Sequence, residues 1–522
     1  MSTELLFYYL IFAALGTIIY YLLPKRFRFI VLLVLSMAAV FVYSGLLAFY
    51  MIGTALSIYL FGLLIGKLQS DFEKKKEGLE KDQKKALKAK YKVKKRWCVF
   101  GTIIINLGLL AFLKYANFFA GIFNGIERLF GGAGNIPLRS IVLPLGISYY
   151  TLQAISYIVD VYRGVCPADK NILRVGLFVC YFPQLLEGPF SKYNEIAYSL
   201  YDGTDFDANN IKKGLARICF GIFKLIMIVP RAGAIADEIF RNYASYNGFM
   251  IICGVICFTI QLFCEFSGCI DMAQGVSHMF GVNLAENFNA PFLSQDVGEF
   301  WSRWHISLGR WFKDYVFYPI SMSPVYQKLN KKNTKFGAFM QVFVPTVLSM
   351  SAVWLLTGLW HGASFKYVLY GVYYLVLMFL HMLLEPLFKK LYEKIHVSAD
   401  SKVLFALRVV KTSILVGIGM LLFRAVTIND AFGMFGRIFS PGKASIANDL
   451  VNWQDIVAMC VCLVPVIAVG IMKYLKVDIY EKLFKISIFW GIVLIEVYVF
   501  IIIVFGAYGV GYVPPDPIYG AF

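Results

Sequence analysis

A chain of 522 residues with 59% hydrophobic and only 16% charged positions is not a water-soluble globule, which would carry about a quarter charged residues. The formal charge of +18 raises nucleic-acid binding, but the excess is local: Lys67–Arg96 holds thirteen Lys and Arg against five Asp and Glu, so eight of the eighteen charges sit in one segment. Several apolar runs reach the roughly 20 residues that a bilayer-crossing helix needs, which makes the class an all-α polytopic membrane protein with the lipid bilayer, and no nucleic acid, as its surroundings.

The first apolar run, Leu5–Leu23, ends in Pro24-Lys25-Arg26 rather than a small-residue cleavage site, and reads as a span rather than a signal peptide. Spans follow at about 30–45 and 48–66. The segment 67–97, rich in Glu, Lys and Ala, is expected to be a helical, solvated hairpin. Lys25, Arg26 and Arg28 lie between the first two spans, whereas Ser44–Leu47 carries no charge. The positive-inside rule then places the amino terminus outside and the hairpin 67–97 in the cytoplasm of a multi-pass cell-membrane protein. Gly62 and Gly66 in GLLIG have the spacing of a close helix contact.

A fourth span at about 98–120 leads to the turn Gly131–Gly134. Leu143–Tyr162 is apolar yet carries Pro144, Gly146, Gln153 and Asp160. Broken backbone at membrane depth is tolerated only inside protein or along a cavity, so this stretch faces the interior. Leu173–Tyr193, interrupted by Pro183, Glu187 and Pro189, is too broken for a span and reads as re-entrant or interfacial. Stretches at about 214–234 and 248–269 follow, and the second leads past Glu265 to Asp271. Carboxylates here need partners; Asp160, Glu187, Glu265 and Asp271 are expected to pair with Arg303 or Arg310.

Trp301, Trp304, Leu308, Trp311 and Tyr315 recur at three- and four-residue spacing. That predicts one amphipathic helix over 299–320, with Arg303, Ser307, Arg310 and Asp314 opposite. Trp on one face and Arg on the other suits a membrane interface, and the three Trp are expected to form an interface belt. Further spans at about 337–357, 366–385, 403–424, 454–473 and 485–507 bring the total to about eleven. Pro514, Pro515 and Pro517 keep the tail Gly509–Phe522 from being helical throughout. No soluble domain is visible, so 1–522 reads as a single integral-membrane domain. The ten cysteines form no CxxC pair and read as small buried hydrophobes; no metal is implied.

Five histidines are present, and two lie in strongly apolar surroundings: His361 in WLLTGLWHGASF and His305 in EFWSRWHISLGRWFKDYVFY. An ionisable side chain at membrane depth is costly and is a functional hypothesis by default. Histidine, with an ordinary pKa of about 6.5, is the usual base for removing a hydroxyl proton. His361 reads as that base, or as a packed or snorkelling histidine at a helix end. His305 orients substrate or hydrogen-bonds its carbonyl, or is a satisfied interfacial histidine. Gly358 and Gly362 allow close backbone approach, Trp360 shields the base, and backbone N–H groups at Gly362–Ser364 are candidates for an oxyanion hole. GxSxG, HExxH and P-loop patterns are absent. The residues alone also leave open a transporter or flippase, which shares many spans and buried ionisable groups.

Seven segments carry a family likeness: LLPKR at 22–26, LPLGISYYTLQAISYIVDVYRG at 143–164, YFPQLLEGP at 181–189, FSGCIDMAQGVSHMFG at 266–281, ENFNAPF at 286–292, EFWSRWHISLGRWFKDYVFYP at 299–319 and LTGLWHGASF at 356–365. In this order, across most of the chain, they resemble the membrane-bound O-acyltransferases. The likeness is to the bacterial branch that O-acetylates exported polysaccharides, whose clade includes a D-alanyl transferase acting on teichoic acids. RWHISL and GLWHG, with histidines 56 residues apart, are its most specific part. ISMSP at 320–324 stands where the family often has Gly-Gly-Asn-Arg.

The resemblance implies a ring of membrane helices around a thinned centre where two funnels meet. It places His361 at the invariant histidine position and His305 at the second signature position. It also implies transfer of an acyl group, acetyl in the first instance, from acetyl-CoA or an acyl carrier protein. The acceptor would be an exported polysaccharide or teichoic acid, or a relay partner such as a separate extracytoplasmic SGNH-type transferase or a small membrane protein. The thioester is a substrate, and no bound cofactor is implied. Trp360, Trp304, Arg303, Ser364, Gln153 and Glu187 are expected along the substrate path.

Overall fold

The computed structural model describes residues 3–138, 141–185, 187–332, 337–394, 398, 401–444 and 452–507; the tail expected to be broken by its prolines lies outside them. Among the described residues, eight helical stretches are long and apolar enough to cross a membrane, and shorter apolar helices lie at Tyr8–Leu22 and Phe489–Phe505. The first long stretch, Lys25–Lys75, is two helices, Lys25–Ser44 and Ala48–Lys75, joined by a single 3-10 turn. With those counted apart, the apolar helices match the eleven runs expected.

The described chain falls into two compact units, one of residues 8–214 with 273–285, the other of residues 1–7 and 215–272 with 286–522. In the first, the basic hairpin is built from extensions of two helices, Ala48–Lys75 and Lys81–Leu129, the latter 49 residues long. At 1.5 Å per residue that helix is about 74 Å long, far more than the roughly 30 Å of hydrocarbon. Its polar first turns therefore run past the apolar stretch as an exposed pair with the end of the preceding helix. Lys95 donates to Gln69 at 2.6 Å and the Phe72 and Tyr91 rings meet at 5.9 Å, which ties the two arms together. The glycine at 62 makes a close helix contact: a Cβ there would lie 3.4 Å from the Tyr157 ring. The interior-facing stretch is the helix Ile147–Arg163, with thirteen of its seventeen residues buried. The broken segment after it forms short helices at Ile172–Cys180, Phe182–Leu185 and Tyr193–Tyr201.

In the second unit, the helices Ala338–His361 and Phe365–Lys394 form an antiparallel hairpin with backbones in contact. A Cβ on Gly358 would lie 2.3 Å from the Tyr367 carbonyl oxygen, and one on Gly371 2.4 Å from that of Trp354. Only glycine fits such an approach. Gly362, in extended conformation, ends the first helix immediately after His361.

The single amphipathic helix expected over 299–320 is not observed. The segment is a helix Val297–Arg303, a break at Trp304 and His305, a helix Ile306–Phe312, a π-helical turn Lys313–Phe317 and a last turn Tyr318–Ser321. His305 sits at φ 48 and ψ 49, in the left-handed region, where non-glycine residues are uncommon. The loop before it supplies the reason. Asn289 and Ile306 donate backbone N–H bonds to Arg303 and Asn287, at 3.0 and 3.1 Å, and the Asn287 side-chain oxygen accepts from Ser307 N–H at 2.9 Å. The ENFNAPF and RWHISL motifs are thus two sides of one backbone clasp.

The break also undoes the expected Trp belt. Trp304 and Trp311 are buried, and Trp301 packs edge-on against Trp354 and Tyr374 at 5.1 and 4.9 Å. The expected acid–base pairing changes too: Arg303 pairs with Glu299 at 2.7 Å, one turn away, and Asp271 pairs with Lys224 at 2.6 Å.

Gly358→Ala is expected to lower the stability of the purified protein by about 1–3 kcal/mol, the usual range for overpacking, while Gly470→Ala, where nothing lies within 4 Å of the new Cβ, should leave it unchanged or slightly higher. Thermal unfolding in detergent measures both; equal midpoints would contradict the backbone contact.

Candidate active site

His361 is the last residue of the helix Ala338–His361, and its ring is enclosed by aromatic edges. Trp360, Phe423 and Tyr370 meet it with ring centres 5.0, 5.3 and 5.9 Å away, and 3% of the residue is exposed. His305 is equally buried. Phe266 meets its ring at 4.7 Å and Trp360 at 5.9 Å. One indole therefore touches both histidines, which brings the two signature segments together at Trp360. Edge-to-face contacts of this kind fix ring orientation as well as burying area.

His305 lines a partly open cavity of about 320 Å³, whose other walls include Trp301, Trp304, Phe312, Trp354 and Thr357, with Lys313 the charged residue among its lining. His361 is not among the lining residues of that cavity; Trp360, its chain neighbour, connects it to His305. Burial, reinforced by the charge that His361 would carry, holds the His305 imidazole well below the ordinary histidine range. A neutral imidazole results, able to donate from one ring nitrogen and accept at the other.

The remaining predicted residues divide. Trp304 lines the cavity and stacks on Phe300 at 5.5 Å. Arg303 is turned away, with its Nε and one terminal nitrogen on Glu299 at 3.0 and 2.7 Å, and its guanidinium over the Tyr474 ring. Ser364 lies in the turn after His361, where its carbonyl accepts the Tyr367 N–H at 3.2 Å. The Gly362 N–H is engaged with the Leu359 carbonyl at 3.1 Å, which removes it from the proposed oxyanion hole and leaves Ala363 and Ser364 of that stretch. Gln153 and Glu187 belong to the other unit. There Gln153 bonds Gln184 at 3.4 Å, Gln184 donates to Pro189 and Ser191, and Glu187 lies close enough to Tyr149 for its charge to act on the phenol. Among the described residues no group of three His, Cys, Asp or Glu is placed to hold a metal ion.

Sequence reasoning missed Asn287, Phe266, Tyr370 and Phe423. Asn287 and Phe266 lie inside segments that carry the family likeness, which was the available signal. Tyr370 and Phe423 lie in plain apolar helices and gave none.

An ion network, buried at Lys224, Arg217 and Asp271, adjoins this box through the chain neighbour of Phe266. Lys224, at the start of a π-helical turn, donates to Ser267 at 2.9 Å and to Asp271 at 2.6 Å. Arg217 reaches Asp271 at 3.6 Å and bonds Glu286, which Lys473 also approaches at 3.4 Å.

The model of the membrane-bound O-acyltransferase family matches residues 167–422, a span that contains both histidines. A probable alginate O-acetylase of Azotobacter vinelandii is 31% identical over 432 residues, 82% of this chain and 76% of that protein. Its counterpart in Pseudomonas aeruginosa is 34% identical over 347 residues, 66% of this chain and 61% of that protein, and so is covered over less than two thirds of its length. A teichoic acid D-alanyltransferase of Bacillus subtilis is 29% identical over 260 residues, 49% of this chain and 62% of that protein.

Asp271→Asn leaves Lys224 and Arg217 without that counter-charge, where the Lys224 and Asp271 side chains are 3% and 10% exposed. A cost of about 3–5 kcal/mol is expected, as for breaking any buried pair from one side. Replacing Lys224 by Met and Asp271 by Leu together should recover most of it. Thermal unfolding of the three proteins decides; a harmless Asp271→Asn would show that the charges are solvated.

Proposed function

The chain belongs to the membrane-bound O-acyltransferase family, and on that premise we propose that it moves an acetyl group from a cytoplasmic thioester donor, acetyl-CoA or an acyl carrier protein, across the membrane to a hydroxyl of an exported cell-surface polysaccharide or of a relay partner. The observation that carries this reading is the meeting of two buried histidines on one indole, with one of them opening on a cavity. D-alanyl transfer is the second reading, and the Bacillus relative is what favours it. Family membership removes the support that a transporter or flippase drew from the apolar helices and buried charges.

The steps follow from the groups present. The donor thioester lies in the cavity with its carbonyl towards His305. His361 accepts the proton of the acceptor hydroxyl as that oxygen bonds to the thioester carbon. The neutral His305 donates a ring N–H to the oxygen on which negative charge collects, an interaction worth roughly 3–4 kcal/mol when aimed at that charge. Collapse of the adduct breaks the carbon–sulfur bond, and the departing thiolate takes up the proton that His361 removed from the acceptor hydroxyl. The aromatic enclosure keeps water from competing with the acceptor for the acyl carbon.

Charge distribution supports the direction of transfer. Lys389, Lys390, Lys394, Lys402, Arg408 and Lys411 cluster around the turn between the helices Phe365–Lys394 and Lys402–Arg424. By the positive-inside rule this end faces the cytoplasm. Arg408 bonds Gln295 at 3.2 Å, which ties the segment that leads to His305 to that end and supports donor entry from there. The turn after His361 is at the opposite end of the same helices. An extracytoplasmic SGNH-type transferase or a small membrane protein would meet the chain on that side.

His361→Ala is expected to lower acetyl transfer by about 10²–10⁴-fold, the range typical of a lost general base, with protein levels unchanged. The assay is label transfer from an acetyl thioester by the purified protein in lipid nanodiscs. Activity near the parent's would remove His361 from the reaction.

A further inference from the structure

The cavity at His305 is a groove between two helices. His305, Leu308, Gly309, Phe312 and Lys313 line it at the three- and four-residue spacing of one helical face, and Phe317 extends that wall. Met350, Val353 and Thr357 line it at the same spacing from the helix Ala338–His361. At 1.5 Å per residue, Lys313 stands roughly 12 Å along the wall from His305. His305 meets Trp360, and the lining residues of the facing helix all precede Trp360. The groove therefore runs from His305 back towards Ala338, and the turn Lys313–Phe317 packs on that same helix. In the antiparallel hairpin Ala338 lies at the end that also holds Lys394, which is the donor's side.

Lys313 is the charged group of an otherwise apolar lining, it is exposed, and it opens a π-helical turn, a distortion frequent at functional sites. Its ammonium lies 5.7 Å from the centre of the Tyr318 ring, and among the described residues no carboxylate pairs with it. The indole N–H of Trp301, in the wall of the groove, has no hydrogen-bond partner among the described residues. A buried donor left in that state is destabilising until an acceptor meets it. The groove thus offers a cation at one end, an imidazole at the other and an N–H donor in its wall. A phosphopantetheine arm carries the matching groups on a slender chain: a phosphate, amide carbonyls and a terminal thioester.

We propose that Lys313 holds the phosphate of the donor's phosphopantetheine arm at the mouth of this groove, so that the arm lies along the apolar walls and its thioester reaches His305. This rests on the acyl-transfer reading. Coenzyme A and an acyl carrier protein share that arm, and whatever lies beyond the phosphate finds no further charged partner in the groove's lining. The phosphate also sets the depth of entry: once it is held, the arm advances no further and the acyl carbon stops at the imidazole.

The test uses the full chain in nanodiscs of zwitterionic phosphatidylcholine, with equilibrium binding read by calorimetry. Acetyl-CoA, acetyl phosphopantetheine and acetyl pantetheine are titrated in turn. Acetyl phosphopantetheine is expected to bind at least about tenfold more tightly than acetyl pantetheine, which differs from it by the phosphate alone. Lys313→Gln should reduce that ratio at least about fivefold, and Lys313→Arg should keep it. Equal binding of the two pantetheine thioesters by the wild type, or an undiminished ratio in Lys313→Gln, overturns the proposal; the first of these needs no variant and is read even if the substituted protein fails to fold. The third ligand separates the two sources of the arm. Acetyl-CoA binding no more tightly than acetyl phosphopantetheine supports an arm read by itself, as a carrier-borne donor requires. Tighter binding of acetyl-CoA supports the same phosphate site with coenzyme A as the source. Consumption of the bound acetyl thioesters tests the acyl-transfer reading separately. Its absence alongside the phosphate preference would sink that reading and leave the phosphate site standing.

Discussion

Asn287 accepts two successive backbone N–H groups, that of Ile306 on its carbonyl oxygen and that of Ser307 on its side-chain oxygen, and the geometry of the site follows from this clasp. Left to its apolar periodicity, the stretch around Trp301–Trp311 would continue as a helix. In a helix the His305 N–H and carbonyl would join the ladder and its side chain would follow the helical face. The clasp instead holds His305 in a left-handed conformation that histidine tolerates better than most residues. Local strain of this sort persists only where surrounding structure over-determines it. Here the over-determination is visible: three backbone groups of the break are bonded to the loop 287–289, and Trp304 is sandwiched among Phe288, Phe292 and Phe300.

Once His305 leaves the helical face, its chemistry is set by what surrounds it. The rings of Phe266 and Trp360 take the place of water, and a low-dielectric setting disfavours the imidazolium. His361 lies near enough to add to that effect. Two histidines this close do not both protonate readily, so proton acceptance by one defines the other as the neutral hydrogen-bonding partner. In the proposed reaction, the division of roles between His361 and His305 is therefore an electrostatic consequence of their proximity and does not need a separate positioning group for each.

The positions of the apolar helices were legible because their signal is additive: some twenty side chains each contribute, and a single misread residue shifts an end by a turn at most. The basic hairpin was legible for the same reason. The break at Trp304–His305 was not, because periodicity counts side chains and is blind to a backbone bond made to a loop eighteen residues upstream. Arg303 shows the opposite error. Its partner, Glu299, was one helical turn away in the sequence, yet more distant acids were preferred on the ground that a buried carboxylate needs a cation. The requirement was sound, and Lys224, 47 residues before Asp271, meets it. Nothing in the sequence distinguished that lysine from any other near an apolar run.

That lysine also explains why the box holds its shape from the side away from the clasp. Phe266, whose edge faces His305, is followed by Ser267, and Ser267 accepts a bond from the same amine that pairs with Asp271 one turn later. Rotation of this helix about its axis would carry Phe266 off the imidazole only by drawing Ser267 and Asp271 away from Lys224 together. In an apolar interior such a displacement strands a buried charge, a penalty of several kcal/mol, whereas the aromatic contact by itself is worth about 1 kcal/mol. The weaker contact at the histidine is thus held by the stronger one beside it. Glycines at 358 and 371 do the same for His361 by a different means, leaving the two helices of the hairpin no room to slide without a backbone clash. Each histidine is thus placed by an interaction beyond the contacts of its own ring.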